Sequence, residues 1–112
     1  MQLPNYETDH YELDNGEEIH NEYPESFWIP SRELRENLEA GDLVKLIFRM
    51  EEKEKQNDVS VERMWVEIKD KNDLFYTGNL DNDPNGEVLV ECGAKVNFRA
   101  EHIIEIYEEE NT

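Results

Sequence analysis

The alternation running from Arg63 to Leu80 constrains this chain more than any other stretch. Met64, Val66 and Ile68 alternate with Trp65, Glu67 and Lys69, the two-residue period of a strand with one buried face. Leu74, Tyr76, Gly78 and Leu80 continue the pattern beyond a polar turn expected at Asp70-Lys71-Asn72-Asp73. Asp83-Pro84-Asn85-Gly86 then reverses the chain, since proline presets one turn dihedral and glycine tolerates another. An isolated hairpin is marginal in water, so further strands or a helix must cover its apolar face.

The remaining text supplies them. Val44, Leu46, Phe48 and Met50 face one way in a strand over 43–50, while Lys45 and Arg49 share the other face with Leu43 and Ile47. The hairpin strands are expected at 62–69 and 74–80, a further strand at 87–92 and a short one at 95–98. Phe27-Trp28-Ile29-Pro30 leads into a short helix over 31–38. Ser31 is its N-cap and Glu33 suits the positive end of its dipole. Leu34 and Leu38, four apart, give it one apolar stripe, and Gly41 ends it. Residues 51–58 read as a charged loop, and 100–107 as a helical turn followed by an edge strand. The expected fold class is α+β: a small twisted antiparallel β-sheet or half-barrel with one short helix packed on it.

One hundred and twelve residues suffice for one modest core. The apolar residues crowd between Phe27 and Phe98, so the expected organisation is an acidic N-terminal arm (1–26), a single domain (27–107) and an acidic tail (108–112). Residues 1–26 carry eight carboxylates and no lysine or arginine, with Tyr6, Tyr11, Leu13, Ile19 and Tyr23 interleaved. Such an arm is too aromatic for a plain disordered tail. It is expected to pack partly against the domain, or to order when a partner arrives.

The wording of the central segments resembles the DUF2314 family of small bacterial proteins. Met64-Trp65-Val66-Glu67-Ile68 is similar to the family strand MWVEV, and Gly78 to Pro84 follows G-x-L-x-N-x-P. Pro30-Ser31-Arg32-Glu33, then Leu38 and Gly41-Asp42 through Phe48, resemble P-S-x-E followed by L-x-x-G-D-x-V-K-L-x-F. Near the end the family pattern is G-D-x-V-x-F followed by H-I. Gly93, Val96, Phe98, His102 and Ile103 keep it, whereas Ala94 stands where an acidic residue is usual. The resemblance covers about 27–84 well and the end more loosely. That family being functionally uncharacterised, it implies a fold and no activity.

Charge narrows the classes of function. Twenty-nine acidic against eleven basic residues leave a formal charge of −18. Naked nucleic acid and anionic membrane surfaces are therefore poor partners, because both demand clustered lysine and arginine. A basic protein is a better one, such as a toxin or a nucleic-acid-processing protein. The bland explanation, acidity serving solubility alone, is as reasonable from charge by itself. Cys92 is the sole cysteine, which suits a reducing compartment. The first residues lack a basic and apolar leader pattern, and no apolar run approaches the ~20 residues of a membrane span. A cytoplasmic protein is expected.

Chemistry-bearing constellations are sparse. Asp81-Asn82-Asp83-Pro84-Asn85-Gly86 matches the opening of a calcium loop, yet the twelfth position is Cys92 rather than a bidentate glutamate; a plain turn is expected. His10, His20 and His102 have no metal-ligand spacing, and His102, beside Ile103-Ile104, reads as a strand-end or packing residue. Cys92 reads as a small buried core residue. Neither a phosphate-binding glycine loop nor a nucleophile–base arrangement is visible, so no catalytic residue, metal or cofactor is expected.

Trp65 falls on the face opposite the core set. It is either an interface anchor or is covered by the helix or the arm, with Trp28 as the covering residue. The expected function is a non-enzymatic acidic protein-binding module, an immunity protein or inhibitor that occupies a basic site, nucleic-acid mimicry included. The expected contact residues are Glu12, Asp14, Glu17, Glu18, Trp65, Glu105, Glu108 and Glu109. The alternative is a structural or regulatory sheet domain that pairs with itself, with acidity incidental.

Overall fold

The computed structural model describes residues 2–55 and 57–108. In chain order the elements are α1 (Tyr6–Asp9), β1 (Tyr11–Leu13), α2 (Gly16–Glu22), α3 (Arg32–Glu36), β2 (Leu43–Glu51), β3 (Val59–Asn72), β4 (Phe75–Leu80), β5 (Lys95–Arg99), a 3-10 turn (Ala100–His102) and β6 (Glu105–Ile106). The strands form one antiparallel sheet in the order β1-β2-β3-β4-β5, with β6 also on β2. β1 pairs with the end of β2 (Tyr11 opposite Met50) and β6 with its start (Val44 opposite Ile106). The fold is thus α+β, a curled half-barrel with a few short helices.

The predicted alternation governs the curl. Val44, Leu46, Phe48 and Met50 are fully buried, as are Val66 and Ile68, with Met64 nearly so. Across the sheet, Val66 faces Leu80, Ile68 faces Gly78, and Gly78 faces Val96. Tyr76 stacks on Phe98 at 5.4 Å, and Tyr11 meets Phe48 at the same distance. The concave side therefore encloses its own core, as a coiled sheet must when little helix is available to cover it.

The segment expected as an arm lies on the sheet. Tyr11 is among the buried core residues, and burial pushes its phenol pKa up. Asn97 of β5 donates to the Gln2 carbonyl at 3.1 Å, so the N-terminal residues reach from β1 towards the opposite edge strand. Gly16 sits under Ile104, where an added Cβ would lie 2.8 Å from the isoleucine methyl.

Four local expectations are corrected. The strand expected at 87–92 is a loop with one isolated bridge, Val88 to Glu52. Val88 and Val90 are still buried in the core, and that alternate burial imitates a strand in sequence. The hairpin turn moves to Asp73-Leu74, because β3 continues to Asn72, opposite Phe75. A register shift between Ile68 and Asp70 accommodates the extra length. Helix α3 stops at Glu36, with Ser31 Oγ accepting from Leu34 N as expected. Its buried residue, however, is Arg35, while Leu34 is exposed and Leu38 is buried beyond the helix end. Cys92 is exposed rather than buried, since it lies in the turn where Gly93 N donates to Leu80 O. Among the described residues no helix is long and apolar enough to cross a membrane.

Candidate functional site

Strand register decides which of the expected contact residues meet. On the convex face of the sheet, Glu12 pairs with Arg49, Glu105 with Lys45, and Lys45 with Trp65. Glu12, Trp65 and Glu105 therefore belong to one surface. Asp14 joins them through its Oδ1, which accepts from Arg49 Nε at 2.6 Å. Along the same face of β3, Val59 and Val61 are exposed, followed by Arg63, Trp65 and Glu67. A strand that shows valine and tryptophan to solvent on its non-core face is an unusual use of apolar area.

Trp65 is half-buried, and its neighbours are not those expected. Trp28 does not cover it, being 78% exposed. Phe27 turns to the sheet instead, with the Arg63 guanidinium 5.5 Å from its ring. Trp65 meets Tyr107 edge-to-face, with centroids 5.9 Å apart and planes at 89°. The Lys45 ammonium sits 4.6 Å from the indole centroid and 3.6 Å from the Glu105 carboxylate. The Trp65 amide donates to Asn82 Oδ1 at 2.5 Å, and its carbonyl accepts from Asp81 N at 2.9 Å. Tyr107 is held by its amide on the Leu43 carbonyl at 2.9 Å. Reading the sequence singled out Trp65 but missed Tyr107, whose ring reaches it only because β6 docks on the start of β2.

Glu17 and Glu18 belong elsewhere, on α2. Glu17 is spent on structure: its Oε2 accepts from buried Arg35 at 2.6 Å, and that guanidinium holds the carboxyl below its usual range. Arg35 also donates to the Pro30 and Ala100 carbonyls, both at 2.8 Å. One planar cation thus joins α2, α3 and the 3-10 turn, a role that suits arginine's several fixed donors. Glu18 is exposed on α2. Glu108, also exposed, follows Tyr107 at the convex face, and Glu109 lies outside the described residues.

The other candidate chemistries find structural employment. The Asp81–Gly86 turn directs backbone donors inward, with Asn85 N and Gly86 N on the Glu62 carboxylate at 2.8 and 3.1 Å. A calcium site needs converging oxygens instead. Among the described residues no group of histidine, cysteine or acidic side chains is placed to hold a metal. His102 is buried, and its Nδ1 accepts from the Arg99 amide at 2.9 Å. Burial, followed by the nearby Arg99 charge, lowers its pKa to about 4. A cleft of about 420 Å³ lies between α3, the β3–β4 tip and the 3-10 turn, walled by Arg32, Lys71, Arg99, Glu36, Asp73 and Tyr76 among others. Its arginines already face acids, Arg32 with Glu17 and Glu36 and Arg99 with Glu101. Lys71 bonds the Glu36 carbonyl. The charges in this wall largely cancel, and among the described residues no aromatic pair comparable to Trp65–Tyr107 lines it.

Residues 12–109 match the model of a family described as an uncharacterized protein conserved in bacteria, DUF2314. No significant match to a curated protein or to a solved structure accompanies it.

Proposed function

We propose that this chain, which belongs to the DUF2314 family of bacterial proteins, is a non-enzymatic acidic module that binds a basic protein. In this reading it serves as an immunity protein or inhibitor, covering a nucleic-acid-binding or catalytic surface much as the polyanion itself would. The supporting observation is the convex face. It combines a half-buried tryptophan, an exposed tyrosine and two exposed valines with Glu12, Glu105 and Glu108. Aromatic anchors inside a charged rim are the usual anatomy of a protein interface. A charge of −18 steers a basic partner on approach and repels acidic competitors.

The test is an immobilised-bait capture from lysate of the source bacterium, washed with rising salt. A basic protein that is retained at low salt, released as salt rises, and not retained by the Trp65→Ala, Glu105→Lys double variant is the expected result. Absence of any retained protein, with the wild type eluting as a dimer on sizing, would transfer the weight to a self-associating sheet domain.

A further inference from the structure

Resting on the protein-binding reading above, we infer that Trp65 and Tyr107 form a receptor for one cationic side chain of the partner, an arginine before a lysine, and that Lys45 occupies this place in the free protein. The indole face is the strongest cation-attracting surface among the side chains, and here it already holds a cation: Lys45 Nζ lies 4.6 Å from its centroid. Tyr107 stands at 89° to the indole, so the two rings make a corner. The backbone behind both walls is pinned, through the Trp65 amide on Asn82, the Trp65 carbonyl on Asp81, and the Tyr107 amide on Leu43. The corner is therefore in place before a partner arrives, which lowers the cost of binding.

The resident lysine is held loosely. Its carboxylate contact, Glu105, is 3.6 Å away and more than half exposed, whereas Arg49–Asp14 and Arg35–Glu17 close to 2.6 Å. With Lys45 25% exposed and Glu105 55%, this longer pair contributes less than those two, and a flexible lysine stem can swing aside. An incoming guanidinium regains both contacts, stacking flat on the indole while pairing with Glu105. Glu67 lies two residues further along the same face of β3, paired with Lys69 at 2.8 Å, and Arg63 lies two residues before, so Glu105 is the carboxylate that meets the corner directly. A short basic segment entering there finds an aromatic seat for one side chain, with Glu105 beside it.

The chain has two tryptophans, so Trp28→Phe leaves Trp65 as the sole reporter, and Trp28 is exposed enough to be exchanged safely. The probe is a short oligo-arginine peptide at low salt, followed by Trp65 emission and by titration calorimetry. The expected result is a saturable change in emission with the calorimetric midpoint. Tyr107→Leu should weaken binding roughly tenfold. Lys45→Met should tighten it several-fold more than Lys53→Met, which removes the same charge beyond the far end of β2. All variants are compared after far-UV circular dichroism shows the same fold. Heat of binding with silent Trp65 would overturn the receptor and leave the protein-binding reading standing. Equal effects of Lys45→Met and Lys53→Met would overturn the assignment of Lys45 as occupant. No heat at all would overturn the protein-binding reading and this assignment together.

Discussion

His102 shows how a single buried side chain couples the fold to pH. Its ring stays neutral because burial and Arg99 lower its pKa to about 4, against about 6.5 in an unfolded chain. Between those values the unfolded state binds a proton that the folded state refuses, so stability falls as pH falls. The contribution is fully present above pH 6.5 and is lost as pH drops towards the folded pKa, amounting to about 3 kcal/mol. Urea midpoints measured through this window should decline with acidity. His102→Gln should be weaker throughout but flatter across the same range, and an equally steep slope in that variant would sink the assignment. Glu17 adds a second acid-sensitive contact at lower pH, since its pKa is depressed by Arg35.

At the scale of elements, the β3–β4–β5 sheet depends on an absent side chain. Gly78 lies between Ile68 and Val96, and a Cβ there would come 2.4 Å from the Glu67 carbonyl oxygen and 2.7 Å from a Val66 methyl. Neither strand can yield without breaking the ladder. Gly78→Ala should therefore cost about 3 kcal/mol or prevent folding. Gly93→Ala is the comparison: nothing lies within 4 Å of its added Cβ, and only its φ of +92° opposes the change, at about 1 kcal/mol. Thermal melts of the two variants check the order. A Gly78→Ala protein as stable as Gly93→Ala would mean that the sheet relaxes there more easily than its packing implies.

For the whole molecule, charge sets two opposite salt responses. A net −18 in a small fold repels itself, and salt screens that repulsion over a Debye length of about 8 Å at physiological strength. The melting temperature should rise as sodium chloride is added, while association with a basic partner should weaken. Parallel melts and binding titrations at the same salt concentrations test both signs. A melting temperature that fell with salt would show that internal pairs such as Arg49–Asp14 and Arg35–Glu17 outweigh the general repulsion.

By itself the sequence determined the buried faces of β2, β3 and β4 and the cap of α3. Alternation is a property of neighbouring residues, so Val44 to Met50, Met64 to Ile68 and Tyr76 to Leu80 declare their buried face without knowledge of the fold. Ser31 reads as a cap for the same local reason. Tertiary structure alone decided what no local period encodes. It made Val88 and Val90 part of a loop, because alternate burial looks alike in a strand and in a loop packed on the core. It turned Arg35 inward because Glu17 and the Ala100 carbonyl, from distant segments, converge there with the nearby Pro30 carbonyl. It left Cys92 and Trp28 outside, and it brought Tyr107 to Trp65 across a separation in sequence of forty-two residues. The acids on the convex face were legible as composition, but which of them share a surface depended on β1 and β6 pairing with opposite ends of β2. Register between distant strands is a long-range choice, set by which apolar faces bury one another.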